Sequence, residues 1–164
     1  MGIERTGTVT EHGEAAELTI ERRVDADAIA VWPFLSESRE LGQWFGTYAG
    51  DPDTGEVILQ MTAEEGDATS TVHILDCQAP EHLAVETHDE HGTISLEVEL
   101  VDGGHAPGSG TTIRFTQHDL PLAALPDMGA GWEWYLDRLV AAVEGGAMPD
   151  WDDYYPALLD QYAG

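Results

Sequence analysis

The sequence predicts an α+β domain in which one long C-terminal helix lies across a curved antiparallel sheet of about six to seven strands. Short segments with apolar residues at every second position recur along the chain and are separated by turn-forming residues, as in antiparallel sheets. Two short helical segments follow the first long strand. The last long periodic segment instead has apolar residues at helical spacing.

The strands are predicted where apolar and polar residues alternate between turns. In residues 17–24, for example, Leu18, Ile20 and Val24 share one face, while Arg22 interrupts that face and is expected near its rim. Turn-forming residues separate the segments that follow. The predicted strands are residues 7–11, 17–24, 57–62, 68–77, 83–87, 94–101 and 111–117.

Two short helices are predicted between the second and third of these strands, over residues 26–35 and 38–44, with Asp25 as the candidate N-cap of the first. Proline has no amide hydrogen, and its ring crowds the carbonyl group four residues earlier. Because Pro33 lies inside the first helix, we expect that helix to bend or stop near residues 31–34.

The long helix is predicted over residues 128–144, and a Gly-Gly pair ends its pattern. One apolar stripe would face the sheet and consists of Met128, Trp132, Leu136, Leu139 and Val143. The segment after it contains too many aromatic residues to remain solvated, so we expect it to pack on the outside of the domain. The predicted organisation is a flexible N-terminus (1–6), one domain (7–146) and an aromatic C-terminal tail (147–164).

Charge limits the classes of partner. The chain has 32 Asp+Glu against 6 Lys+Arg, a formal net charge of -26. Such a surface repels nucleic-acid phosphates and anionic lipid headgroups, so we expect neither nucleic acid nor a membrane as partner. The acidity has two interpretations, which are adaptation to a salt-rich cytoplasm and an acidic proteome without functional meaning.

The location is predicted to be cytoplasmic. The longest apolar stretches are shorter than the roughly 18–20 residues that a membrane span needs, and no leader-like segment is found. The single cysteine, Cys77, cannot form an intramolecular disulfide, which fits a reducing compartment.

Five short sequence motifs resemble those of one known family and occur in the same order. They are Glu21-Arg22-Arg23-Val24 with Val31-Trp32 and Leu35; Glu40-Leu41 with Trp44-Phe45; Ala79-Pro80 before Leu83; Gly110-Thr111 with Ile113 and Phe115; and Gly131-Trp132 with Leu136 and Leu139. Together they resemble the branch of the SRPBCC (START-like, helix-grip) superfamily named for homologues of the heat-shock protein ninety ATPase activator. The resemblance covers roughly residues 7–145 and implies the helix-grip fold with an internal cavity. It implies no particular reaction.

A long helix laid across a curved sheet leaves concave space unfilled, so we expect a mainly apolar pocket of at least ~300 Å³. Thr87 stands where the family often has an aromatic residue, and Gln117 where it often has a histidine. His73 would enter the pocket as a polar contact or general base if its side of the strand faces inward, although Val72 and Ile74 favour the opposite side. The predicted lining is Trp44, Phe45, Met61, His73, Val85, Thr87, Leu96, Phe115, Gln117, Trp132 and Leu136.

The sequence lacks the patterns of common catalytic sites. Gly108-Ser109-Gly110 has the wrong spacing for a nucleophile elbow. A phosphate-binding loop of the G-x-x-x-x-G-K-[ST] type cannot form without lysine, and no dinucleotide-binding fingerprint follows a predicted strand. His88-Asp89-Glu90-His91 and Asp51-Pro52-Asp53-Thr54-Gly55 are interpreted as polar turns rather than metal sites. We therefore predict no catalytic residue, no metal and no cofactor.

The favoured function is the binding or carrying of a small apolar molecule in the cavity. One alternative is an enzyme of the cyclase, dehydratase or hydrolase type, for which His73, Thr87 and Gln117 are the candidate polar groups. The other alternative is a protein-interaction or co-chaperone-like module, which would expose an apolar patch. Association into a homodimer stays open.

Overall fold

The structure, a computed structural model, describes residues 4–62, 69–89, 92–102 and 110–163. These residues form one antiparallel sheet with the strand order β1-β2-β8-β7-β6-β5-β4-β3. Its strands are β1 (Thr8–His12), β2 (Ala15–Val24), β3 (Gly46–Ala49), β4 (Glu56–Met61), β5 (Thr69–Gln78), β6 (His82–Asp89), β7 (Gly92–Asp102) and β8 (Thr111–Pro121). The predicted α+β, helix-grip architecture is confirmed, with one strand more than expected.

The additional strand is β3. It is four residues long, too short to show an alternating pattern, and it pairs with β4 at the edge of the sheet. Gly46 permits this pairing, since a Cβ atom there would lie 2.5 Å from the carbonyl oxygen of Gln60.

The helices are α1 (Ala28–Val31), α2 (Pro33–Ser36), α3 (Ser38–Leu41), α4 (Leu125–Glu144) and α5 (Leu159–Tyr162). The break expected at Pro33 is confirmed, because α1 ends at Val31 and Pro33 is the first residue of α2. Asp25 is not the N-cap of α1; its amide donates to Glu144 instead, and the helix begins three residues later. No helix among the described residues is long and apolar enough to cross a membrane.

Helix α4 packs on the concave face of the sheet. Its predicted stripe is buried at Trp132, Leu136 and Leu139 and half-buried at Met128 and Val143. These side chains meet the apolar face of β2 and β8 in one core. More of α4 is buried than this stripe, because the tail covers the other side of the helix.

A buried carboxylate on that other side joins four segments of the chain. Glu133 is 1% exposed and accepts hydrogen bonds from the Thr6 amide (2.6 Å), Arg22 Nη2 (2.6 Å) and the Tyr162 hydroxyl (2.7 Å). Burial favours the neutral acid, but the hydrogen bonds from Thr6, Tyr162 and Arg22 outweigh it and lower the pKa of Glu133. Arg22 also donates to Asp137 (2.6 Å). Arg22, which interrupts the apolar face of β2, is therefore a half-buried ion-pair partner of α4.

The C-terminal tail is attached to α4 through the same cluster. The Tyr154 hydroxyl donates to Asp137 (2.6 Å), and Tyr154, Leu158 and Tyr162 are buried. Gly129 allows the Tyr162 ring to lie against the helix, since a Cβ atom there would be 2.5 Å from the ring.

The N-terminal segment, which we predict to be flexible over residues 1–6, is described only from residue 4 onward. Within the described part, the amide of Arg5 donates to Gln161 (2.7 Å) and Thr6 donates to Glu133. Residues 1–3 lie outside the described residues.

The outer face of the sheet carries a chain of histidines and carboxylates. His82 lies between Asp76 (2.7 Å) and Glu97 (2.5 Å), and His118 lies between Glu97 (3.0 Å) and Glu17 (2.9 Å). The hydrogen bond to Glu97 is the main cause that raises the pKa of His82. For His118, burial opposes the charged ring, but Glu97 and Glu17 outweigh it, so its pKa is also raised. Each ring contacts a carboxylate through both nitrogens, an arrangement that favours the imidazolium.

We expect replacement of Tyr162 by phenylalanine to lower the free energy of unfolding by about 1–3 kcal/mol, because Glu133 and the Gly7 amide would both lose a buried partner. Tyr155→Phe is the matched control, since Tyr155 lies in the same tail and is 40% exposed. Urea unfolding measures both variants. Equal stability of the two would show that the buried hydroxyl does not anchor the tail.

The hydrogen bonds of His82 and His118 to their neighbouring carboxylates should make the free energy of unfolding depend on pH. Because the folded pKa values of His82 and His118 exceed the ordinary 6.5, their stabilisation is fully present below about pH 6.5 and is lost as pH rises through the raised values. The free energy of unfolding should therefore fall as the pH rises above about 6.5. This fall should shrink in the double variant His82→Gln/His118→Gln and persist in His12→Gln, whose side chain is exposed on β1. An unchanged slope in the double variant would contradict the assignment.

Candidate functional site

An inner cavity of about 160 Å³ lies between the sheet, the short helices and α4. Its lining is almost entirely apolar. The residues that line it are Leu35, Ser36, Leu41, Trp44, Phe45, Tyr48, Pro52, Val57, Leu59, Val72, Ile74, Cys77, Leu83, Val85, Thr87, Leu96, Val98, Ile113, Phe115, Trp132, Leu136 and Leu139. The Tyr48 hydroxyl donates to the Ser36 carbonyl oxygen (2.7 Å), so this polar group is already paired within the wall.

A larger outer cleft of about 740 Å³ adjoins the cavity. It is bounded by β4 to β7, by the first three turns of α4 and by the tail. The residues that line it are Phe45, Leu59, Met61, Ser70, Thr87, Ile94, Leu96, Asp127, Met128, Gly131, Trp132, Trp134, Tyr135, Trp151 and Tyr155.

The space expected to be one pocket is thus divided into two neighbouring voids. Both are lined by Phe45, Leu59, Thr87, Leu96 and Trp132. The centroid of the Trp132 rings lies 4.3 Å from that of Phe115 and 5.8 Å from that of Phe45, so these three side chains fill the middle of the concave space. The inner void is smaller than the expected ~300 Å³ and the outer void is larger.

Most predicted lining residues do lie at these voids. Met61 lines the outer cleft, and Thr87, 9% exposed, lines both voids. The predicted residues at the inner cavity are Trp44, Phe45, Val85, Thr87, Leu96, Phe115, Trp132 and Leu136. Whether they bind a ligand stays a prediction.

Two predicted residues do not line either void. His73 lies on the outer face of β5, where its ring centroid is 4.9 Å from that of His88, because Val72 and Ile74 take the inward positions. Gln117 is buried, but its side-chain oxygen accepts a hydrogen bond from Trp132 Nε1 (2.7 Å). It therefore positions a wall residue and does not itself form the wall.

The polar atoms of the aromatic walls are held by other parts of the protein. Trp44 Nε1 donates to the Phe34 carbonyl oxygen (2.8 Å), and Trp134 Nε1 donates to that of Pro149 (3.2 Å). Arg138 Nε donates to the Trp44 carbonyl oxygen (2.9 Å). With these groups satisfied, the rings present apolar surface to the voids.

Four residues line the cleft that sequence patterns did not predict there: Asp127, Trp134, Trp151 and Tyr155. The aromatic composition of the tail predicted burial, but no local pattern links Trp151 and Tyr155 to a void that is also bounded by β4 to β7. Trp151 and Tyr155 reach the cleft because Tyr154 and Tyr162 attach the tail to Asp137 and Glu133 on α4.

Among the described residues, no group of three or more His, Cys, Asp or Glu side chains is placed to hold a metal ion. The Asp51 side chain accepts from the Asp53 amide (3.0 Å) and closes a short 3-10 turn, as the turn interpretation requires. In the motif His88-Asp89-Glu90-His91, Glu90 and His91 lie outside the described residues.

Solved structures share the fold. CalU16 from Micromonospora echinospora is 23% identical with a TM-score of 0.73, covering 98% of this chain and 95% of that one. A conserved protein of unknown function from Enterococcus faecalis, EF2215, is 22% identical with a TM-score of 0.72, covering 95% and 87%. DynU16, from the dynemicin biosynthetic locus, is 20% identical with a TM-score of 0.67, covering 80% of this chain and 48% of that chain.

No curated protein matches the sequence. The family model described as activator of Hsp90 ATPase homolog 1-like protein matches residues 25–144, well over half of the chain. The resemblance predicted from the sequence is thereby confirmed. The chain belongs to the activator of Hsp90 ATPase homolog 1-like family and has the helix-grip fold of the SRPBCC superfamily.

Proposed function

We propose that this protein binds or carries a small, largely apolar molecule that occupies the outer cleft and reaches the inner cavity. The observation that carries the proposal is the void itself. Protein interiors pack at a density of about 0.75, and the walls of an unfilled apolar space lose dispersion contacts. An apolar cavity of about 160 Å³ beside an aromatic cleft of about 740 Å³ offers those contacts to a ligand.

The chemistry of the walls favours binding over catalysis. Of the three polar groups considered for an enzyme, His73 lies on the other face of the sheet and Gln117 is engaged with Trp132, which leaves Thr87. In the described part of the chain, no buried side-chain nitrogen or oxygen lacks a hydrogen-bond partner. Acid–base catalysis needs convergent titratable groups at the reacting atoms, and the described lining of the inner cavity provides none but the phenol of Tyr48 and the thiol of Cys77.

The exposed apolar side chains give less support to an interaction module. The two most exposed, Ile29 (77%) and Leu75 (61%), lie on separate elements, α1 and β5. Single exposed apolar residues are common on soluble proteins, whereas docking surfaces need larger patches. We therefore infer a small molecule as the partner. We also infer a cytoplasmic location, which the single Cys77 supports because it cannot form an intramolecular disulfide.

Filling the wall at Thr87 should abolish binding. Thr87 lies between Val72 on β5 and Ile94 on β7, so the indole of Thr87→Trp would extend into both voids. We expect the affinity for the neutral fluorescent probe N-phenyl-1-naphthylamine to fall by at least about tenfold. The melting temperature should stay unchanged or rise, because the new side chain replaces void with contacts.

The matched control is Thr93→Trp, which adds the same side chain to the outer face of β7, where Thr93 is exposed. It should bind the probe as the unaltered protein does. Loss of binding in both variants, or in neither, would contradict a site on the concave side of the sheet.

A further inference from the structure

We propose that the outer cleft selects an organic cation, whose positively charged nitrogen lies against the rings of Trp134, Trp151 and Tyr155 beside the carboxylate of Asp127. The apolar body of the molecule then occupies the shared space next to Trp132. This inference rests on the proposed function and adds the charge of the ligand to it.

Aromatic side chains are the largest group among the described residues that line the cleft. Six of its described lining residues are aromatic. Three of these, Trp134, Trp151 and Tyr155, form one group of rings in contact. The ring centroids of Trp151 and Tyr155 are 5.3 Å apart with planes at 16°, and those of Trp134 and Trp151 are 5.2 Å apart at 61°. Ring faces carry negative electrostatic potential, and several of them around one space attract ammonium groups by cation–π interaction.

The protein already places one cation on this group. The guanidinium carbon of Arg138 lies 4.9 Å from the centroid of the Trp134 rings. The same arginine donates to the Trp44 carbonyl oxygen and is thereby fixed. A positive charge at a ring of this group is therefore compatible with the fold.

The formal charge on the described lining of the cleft is negative. Among the described lining residues Asp127 is the only one with a formal charge. The chain has no lysine, all six of its arginines lie in the described part, and none of them lines either void. An anionic headgroup would therefore lose hydration without gaining an arginine or lysine partner, in the field of a protein with a net charge of -26.

The N-terminus of α4 does not compensate for this. Pro126 is the second residue of the helix and supplies no amide hydrogen, and Asp127 follows it in the first turn. A carboxylate at that position interacts favourably with the positive end of the helix dipole and leaves less attraction for an external anion. The N-terminus of α4 thus stabilises the negative charge of Asp127, and that charge attracts a cationic ligand.

Three compounds that share a ten-carbon chain isolate the effect of headgroup charge. Decyltrimethylammonium, 1-decanol and decanoate, each below its micelle concentration, compete with N-phenyl-1-naphthylamine for the unaltered protein. We expect the ammonium compound to bind at least about tenfold more tightly than decanoate. This ratio should shrink in molar sodium chloride, which screens the Asp127 charge.

Variants separate the site from the diffuse charge of the surface. Asp127→Asn should reduce the ammonium-to-decanol affinity ratio by roughly two- to fivefold, as for a solvent-accessible ion pair, and Tyr155→Leu should also reduce it. Asp119→Asn removes the same charge from an exposed position on β8 that lines neither void, and should leave the ratio unchanged.

Equal affinities for the ammonium compound and decanoate would overturn the inference. So would an Asp119→Asn effect as large as that of Asp127→Asn, since selection would then reflect net charge alone. In either case, binding of the probe and of decanol would leave the proposed function standing. If neither of these neutral molecules bound, both proposals would fail.

Discussion

The buried carboxylate of Glu133 fixes the geometry on which the rest of the molecule depends. It accepts hydrogen bonds from the N-terminal segment, from β2 and from the tail, while its own helix lies across the sheet. Removing one partner from such a buried ion pair typically costs about 3–5 kcal/mol, because the remaining charge stays desolvated. The position of α4 over β2, and with it the depth of the concave space, therefore depends on polar contacts as well as on apolar packing.

The same cluster connects the tail to the candidate site. Tyr162 reaches Glu133, and Tyr154 reaches Asp137 one turn further along α4. Trp151 precedes Tyr154 by three residues and Tyr155 follows it directly, and both line the outer cleft. The family model ends at residue 144, so this wall of the cleft is built by a segment beyond the matched region.

A single hydrogen bond influences how the concave space is divided. Trp132 is held by Gln117 on β8 and packs against Phe115 and Phe45. In that position its rings lie on the wall of both voids. The division gives the molecule an apolar inner end and an aromatic outer end that carries one carboxylate, which is the basis for proposing a ligand with an apolar body and a positive charge.

Local features of the fold were predictable because their causes are local. Alternation identified the strands, and the missing amide of Pro33 identified the break between α1 and α2. The inward face of β5 was ambiguous, because apolar residues occur on both of its sides and its register shifts between Ile74 and Asp76. The role of the tail was not predictable, since it depends on contacts such as that of Tyr162 with Gly7, 155 positions away.

If the space between α4 and the sheet holds a small molecule, a crystal of the protein soaked with N-phenyl-1-naphthylamine should contain the probe there. We expect density for the probe beside Trp132, in the outer cleft and extending toward the inner cavity. Density on the outer face of the sheet, with the rings of Phe45, Phe115 and Trp132 closed over an empty interior, would contradict it.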